Sequence, residues 1–379
     1  MRLLRPSLQH LALPVSSATS RPHQAPMVLP LQAPHATPRA LALAGKDRVI
    51  ASLTQRRQPT MRAVGVDVGY GNTKWAVAQA TGCFDSVIAP YSIVGESWGV
   101  GTPDHPLFLD GHAVLVGDTA AAKPGALRPF ADGRLADPAA LPLLAAALWA
   151  AGAQGDIVLG SGMPLGVFRR ERDAARQALE GRTLHIGDGV RESAVRIVRL
   201  TLRPQAIGAA LWLTSRGMVP AGPGLAVFVD IGTRTTDIAT IDLGSMAPVV
   251  PLSFSLEAGV ATAAAALAGD VQSASGRLPP VDLCVAALQG QPRQWWGAPL
   301  PAGVEHLDAL AATIAAEVQR RLGADGGRVV KVLPVGGGAV LLRGRLIGLL
   351  PGVHIGALPA DQAIEANARG YLLVAEQTA

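Results

Sequence analysis

Residues 64–77 read VGVDVGYGNTKWAV, and eight of them, from Asp67 to Lys74, hold an aspartate, two glycines, an asparagine, a threonine and a lysine. The flanks RAVGVDV and WAVAQA are apolar, so the stretch predicts a β-hairpin with GYGNTK as its polar tip. A tight glycine turn exposes backbone N–H groups that can converge on phosphate oxygens, and Gly69 and Gly71 remove side chains that would block the approach. Asn72, Thr73 and Lys74 add donors, Lys74 as a point charge. Asp67 would repel a phosphate, so its place beside one implies an intervening cation, Mg²⁺ reached through bound water.

The same pattern returns at 225–244, LAVFVDIGTRTTDIATIDLG, where Asp230, Gly232, Thr233, Thr235 and Thr236 repeat the logic. Both turns place a Gly two positions after an Asp, so the chain offers one such hairpin in each half. A third turn, Gly336-Gly337-Gly338, lies between the strand-like VVKVLPV and the helix-like AVLLRGRLIGLL. Any single turn of this kind is an ordinary hairpin tip. Three of them, each after a strand, point to one ligand, and the triple glycine suits a flat ring lying against backbone. Neither a Walker loop nor a GxGxxG fingerprint occurs.

A chain of 379 residues with 49% apolar content can bury two cores, which predicts a two-lobed α/β body. Cys83 and Cys284 have no metal-ligand spacing and argue neither a zinc site nor a disulfide framework; a reducing cytoplasm fits. The net charge of +5 is unevenly placed. Residues 1–60 hold eight Lys/Arg against Asp47 alone, which leaves 25 basic and 27 acidic residues in the body. The body therefore gives no electrostatic warrant for binding nucleic acid. The first 60 residues read as a disordered extension, with three explanations open: a start placed too far upstream of Met61, a genuine arm, or a targeting segment. No apolar run is long enough for a membrane span.

Through these three turns the chain resembles the actin/Hsp70/sugar-kinase superfamily. VGVDVGYGNTK is similar to its first phosphate loop, VDIGTRTTDIA to the second and VGGGAVLL to its adenosine motif. More narrowly, DVGYGNTK, DIGTRTTDIA and NARGYL resemble ParM/StbA-type plasmid segregation actins, and among them the PRTRC system protein D family. The resemblance spans about 61–379. It implies duplicated RNase H-like domains around an interlobe cleft: 61–207 plus 363–379 as domain I, with an inserted subdomain near 82–135, and 208–362 as domain II.

It also implies ATP and Mg²⁺ as cofactors. Asp67 and Asp230 become the metal-side carboxylates acting through water, and Lys74 the phosphate-contacting lysine. Gly69, Gly71, Asn72, Thr73, Gly232, Thr233, Thr235 and Gly336 to Gly338 become the nucleotide cradle. LRPQAIGAA resembles the first hinge segment, which makes Gln205 the water-positioning residue. An amide is no base near neutral pH, so turnover should be slow; capping the helix after it is the plain alternative for Gln205. Gly208 with Ala366 and Gly370 would let two hinge helices cross closely. The implied function is an actin-like ATPase that assembles into filaments for DNA segregation, with DNA contact left to an adaptor protein. Two rivals are a small-molecule kinase of the same superfamily and a nucleotide-gated module that does not polymerise.

Departures include Gln where ParM has Glu, and Arg234 inside the second loop. Asp237 could face the same site across the hairpin or serve as a surface or turn-satisfying aspartate. His185, His306 and His354 lack partners at useful spacing. Trp295-Trp296 reads more readily as packed beneath a loop than as an exposed contact.

Overall fold

The computed structural model describes residues 62–91, 105–129, 135–350 and 354–379. The expectations for residues 1–60, and for part of the insertion near 82–135, lie outside them. The body Pro59–Ala379 forms one compact unit.

Among the described residues its first sheet has nine strands: β1 (Arg62–Val68), β2 (Asn72–Val77), β3 (Ala80–Asp85), β4 (Ile88–Pro90), β5 (Leu107–Leu109), β6 (His112–Val116), β7 (Gly155–Met163), β8 (Thr183–Gly187) and β9 (Glu192–Pro204). Their spatial order is β3-β2-β1-β7-β9-β8-β5-β6-β4. The insertion thus extends the edge of the sheet, with a small core of Val87, Ala89, Leu115 and Ala120. Among the described residues, three α-helices accompany this lobe: α1 (Asp118–Ala121), α2 (Leu141–Ala150) and α3 (Leu165–Leu179), followed by α4 (Ile207–Ser215).

The second sheet is built on β10 (Leu225–Ile231) and β11 (Thr236–Asp242), with β12 (Ala247–Pro248) and β13 (Phe254–Leu256) on the β11 side. Helices α5 (Val260–Ser275) and α6 (Val281–Leu288), the hairpin β14 (Gln294–Trp295) and β15 (Ala298–Pro299), and α7 (Val304–Leu322) lead to β16 (Val329–Val335). Then come α8 (Ala339–Leu349), β17 (His354–Ile355) and α9 (Ala360–Glu376). The two sheets repeat one plan. In each, an antiparallel hairpin (β1-β2, β10-β11) is joined by a parallel strand (β7, β16) on the free side of its first member.

Strand alternation then decides what faces what. In β1, Val64, Val66 and Val68 enter the core with Leu143 and Leu148 of α2. Gly65 points the other way, where an added Cβ would lie 2.1 Å from Ala368 O of α9, so only a glycine lets this helix seat so closely. In β10, Leu225, Val227, Val229 and Ile231 pack with α5, α7 and α8, while Ala226 and Phe228 pack with α4. Parity therefore puts Asp67 and Asp230 at the ends of their strands, on the side where α4 and α9 lie.

Those two helices cross as the residue spacing predicts. A Cβ on Gly370 would fall 1.8 Å from Gly208 O, and Ala366 is buried in the α4 cluster. Among the described residues, no helix is long and apolar enough to cross a membrane.

Candidate functional site

Both hairpin tips and the triple glycine open onto one cleft between the lobes, enclosing about 650 Å³ including its solvent-open part, a size that holds a small ligand. At its floor Asp67 is 2% exposed. Lys74 Nζ donates to Asp67 Oδ2 at 3.1 Å, and Gln205 Nε2 donates to Asp67 Oδ1 at 3.0 Å. Asn367 Nδ2 donates to Asp230 Oδ2 at 2.6 Å. Gln205 is therefore no helix cap. Its side chain reaches Asp67, while the N–H groups of Ala206 and Ala209 are taken by Asn367 Oδ1 at 3.2 and 3.0 Å.

Asp237, 1% exposed, also lines the cleft. Its Oδ1 accepts from Leu165 N at 2.7 Å and from Ser255 Oγ, and Thr235 Oγ1 donates to Oδ2 at 3.3 Å. The surface alternative for Asp237 falls. Two buried carboxylates, Asp67 and Asp230, thus face one ammonium, with Asp237 buried near Asp230. Burial first, then the charges of Asp67 and Asp237, push Asp230 up to about 7. Burial likewise raises Asp237 to about 6 against its hydrogen bonds. Desolvation alone would lower Lys74, but Asp67 and Asp230 outweigh it and hold the ammonium above its ordinary value. Excess buried negative charge of this kind fits a divalent cation held by oxygen ligands.

The glycines are needed for space. Gly336 has φ 80°, and a Cβ there would lie 2.4 Å from Asp230 Oδ1. A Cβ on Gly71 would lie 2.1 Å from Thr233 Oγ1, so the two loops touch across the cleft. Beside the triple glycine, Val260, Val285 and Leu341 give an apolar wall, a surface suited to a flat aromatic base.

Gly69, Gly71, Asn72, Lys74, Gln205, Asp230, Gly232, Thr233, Thr235 and Gly336 to Gly338 line this cleft with Asp67. Thr73 does not. Strand β2 already begins at Asn72, so alternation turns Thr73 inward, fully buried, with its hydroxyl 2.9 Å from Ser86 Oγ. Asn72 is itself bonded through Nδ2 to Asp85 Oδ1 at 2.9 Å. Trp296 corrects another expectation: it is 70% exposed at the tip of the β14-β15 hairpin, with Arg277 4.3 Å from its ring centre.

Two further contacts join the lobes at the cleft. Arg128 donates to Gly71 O at 2.9 Å, to Asp85 Oδ2 at 3.3 Å and to Asp282 Oδ2 of α6 at 2.9 Å. The Arg234 guanidinium lies 5.2 Å from the Tyr70 ring centre. Local sequence gave no signal for Arg128, whereas Asn367 opens the NARGYL motif, which marked the segment without giving this side chain a role. For Arg234 the signal was its departure from the loop pattern.

Comparison with known proteins agrees with this architecture. Residues 65–208 match the actin like proteins N terminal domain, and residues 228–348 match the archaeal actin homologue MreB-like C-terminal family. An archaeal actin homolog of Thermoplasma acidophilum is 37% identical over 343 residues, covering 84% of this chain and all of that protein. One from Thermoplasma volcanium is 36% identical with the same coverage. The chain belongs to the actin-like protein family.

Among solved structures, the archaeal actin homolog Ta0583 superposes with a TM-score of 0.75 at 38% identity, covering 84% of this chain and all of that one. Its complex with ADP gives 0.72 at 36%, with the same coverage. A 15-stranded ParM filament from Clostridium botulinum shares the fold, with a TM-score of 0.70 at 18% identity over 84% of this chain and 99% of that one.

Proposed function

We propose that the protein binds ATP with Mg²⁺ in the interlobe cleft, hydrolyses it slowly and assembles into filaments that serve DNA segregation, in the manner of ParM/StbA-type actins and the PRTRC system. The observation that carries this reading is the convergence of all three glycine turns with Asp67, Lys74, Gln205 and Asp230 on one cleft. The ADP complex of a 36% identical relative supports the nucleotide.

In this reading Asp230 and Asp67 hold the cation through its water shell, and Lys74 lies within the phosphate end of the cleft. Mg²⁺, when bound, supplies neutralisation of the charge on the β- and γ-phosphate oxygens. Gln205 spends its amide N–H on Asp67, which leaves Oε1 to accept from a water and hold it in line. Gln205, as an amide, places the water but takes no proton from it, so hydrolysis is slow. The rival kinase needs a carboxylate base open to a substrate hydroxyl; Asp237 has both oxygens engaged, which leaves Asp230 as the candidate base in that reading.

The mildly acidic body leaves DNA contact to an adaptor protein, and the setting is the cytoplasm. Sedimentation and negative-stain microscopy of the full chain, with phosphate release measured in parallel, test the reading. Pelleting and filaments only with ATP and Mg²⁺ are expected. A protein that binds nucleotide and stays monomeric would return the gated-module rival.

A further inference from the structure

Asn367 lies in the middle of α9 and is 4% exposed. Its amide bridges the two hinge segments. Nδ2 donates to Asp230 Oδ2 at 2.6 Å, and Oδ1 accepts from Ala206 N at 3.2 Å and Ala209 N at 3.0 Å. Around it α9 is pinned on both sides: Gly336 N donates to Ala363 O at 2.8 Å, and Gly370 meets Gly208 backbone to backbone. One buried side chain thus touches the second-loop carboxylate and the first turn of the helix that follows Gln205.

The backbone at that turn is not a relaxed one. Ala206 has φ 64° and ψ −36°, a conformation that a residue with a Cβ rarely adopts. Such strain persists only where surrounding bonds over-determine it, and it collects at functional sites. Here those bonds are Gln205 N to Met163 O at 2.9 Å on one side and Ala206 N to Asn367 Oδ1 on the other. Between them the Gln205 side chain leaves the backbone toward Asp67.

We propose that Asn367 is a positioning residue for nucleotide hydrolysis: it holds the Asp230 carboxylate and the Gln205 backbone in one frame, so that the metal-side and water-side groups stay aligned. The proposal rests on the ATPase reading above. Its chemistry requires a neutral side chain with a donor and an acceptor at the end of one short stem. Aspartate keeps the acceptor for α4 but sets a second anion against Asp230, and leucine fills similar volume with neither bond.

The test is steady-state ATP hydrolysis by the full chain, varied in ATP and in Mg²⁺, with activity normalised to the folded fraction from urea melts. Asn367→Leu should lower kcat at least tenfold, leave KM for ATP within about threefold and raise the half-saturating Mg²⁺ concentration severalfold. Asn367→Asp should also lower kcat while the amides of Ala206 and Ala209 keep wild-type hydrogen-exchange protection, which Asn367→Leu loses. A merely structural residue would cut the folded fraction and leave the Mg²⁺ dependence and kcat per folded molecule alone. Wild-type turnover in both variants would overturn the positioning role while leaving the ATPase reading intact. A wild-type protein with no hydrolysis at all would instead overturn that reading, and this proposal with it.

Discussion

Replacing Asp230 by Asn should make the nucleotide-free, metal-free protein more stable at neutral pH. Asp230 is held near pKa 7 in the folded chain against 3.8 for an unperturbed aspartate. Between those values the unfolded chain has released the proton and the folded chain still binds it, so stability falls as pH rises from about 4 to 7. A displacement of about three units at 1.36 kcal/mol each sets a ceiling of about 4 kcal/mol on the cost at pH 7.5. Asn mimics the protonated acid and keeps a partner for Asn367, so Asp230→Asn removes that cost. Asp237 leaves a smaller slope that ends near pH 6. Urea melts in EDTA at pH 5.0, 6.0 and 7.5 should show the variant gaining on wild type as pH rises. Added Mg²⁺ should then stabilise wild type and not the variant. A variant no more stable than wild type at pH 7.5, or one with an unchanged slope above pH 6, refutes the assignment of the buried charge to Asp230.

Gln205→Ala should bind ATP about as tightly as wild type and hydrolyse it roughly 100-fold more slowly, as expected when an attacking water loses its placement; phosphate release beside a nucleotide titration checks both. Lys74→Ala strands the buried Asp67 carboxylate, so at pH 7 it should lose about 3–5 kcal/mol in urea melts as well as nucleotide affinity; a stability within 1 kcal/mol (roughly) of wild type would mean that water reaches Asp67. Gly370→Ala drives a methyl into the Gly208 carbonyl, a backbone atom that cannot rotate away, and should lower stability by about 1–3 kcal/mol, read from the same melts.

What could be read in the sequence was what local pattern dictates. Hairpins, glycine turns and the amphipathic stretches depend on neighbours a few residues apart, and the three turns fell into one cleft. Thr73 failed for a nearly local reason: β2 is paired on both sides, with Thr73 opposite Val68 and Phe84, so the strand runs closer to the turn than GYGNTK suggests. Asn367 and Arg128 are of another kind. The first meets Asp230 across 137 residues and the second meets Asp282 across 154, and no periodicity announces a partner at that distance. Trp296 was misjudged because aromatic residues usually pack. Here a tight turn with φ 50° at Trp296 holds the indole outward.

The crossing of α4 and α9 at Gly208 and Gly370 has a mechanical meaning. Where two helices meet through side chains, turning one against the other must lift each knob from its hole. Here Gly370 sets bare backbone against the Gly208 carbonyl, and the fixed elements beside that contact are the buried Tyr371 ring and the Asn367 amide, which face Gly208 from α9. Bonds at the crossing and at the rim both tie the lobes: the Asn367 amide to Asp230 and to the N–H groups of Ala206 and Ala209, and farther out the Arg128 bonds to Gly71 and Asp282 and the Arg234 contact with Tyr70.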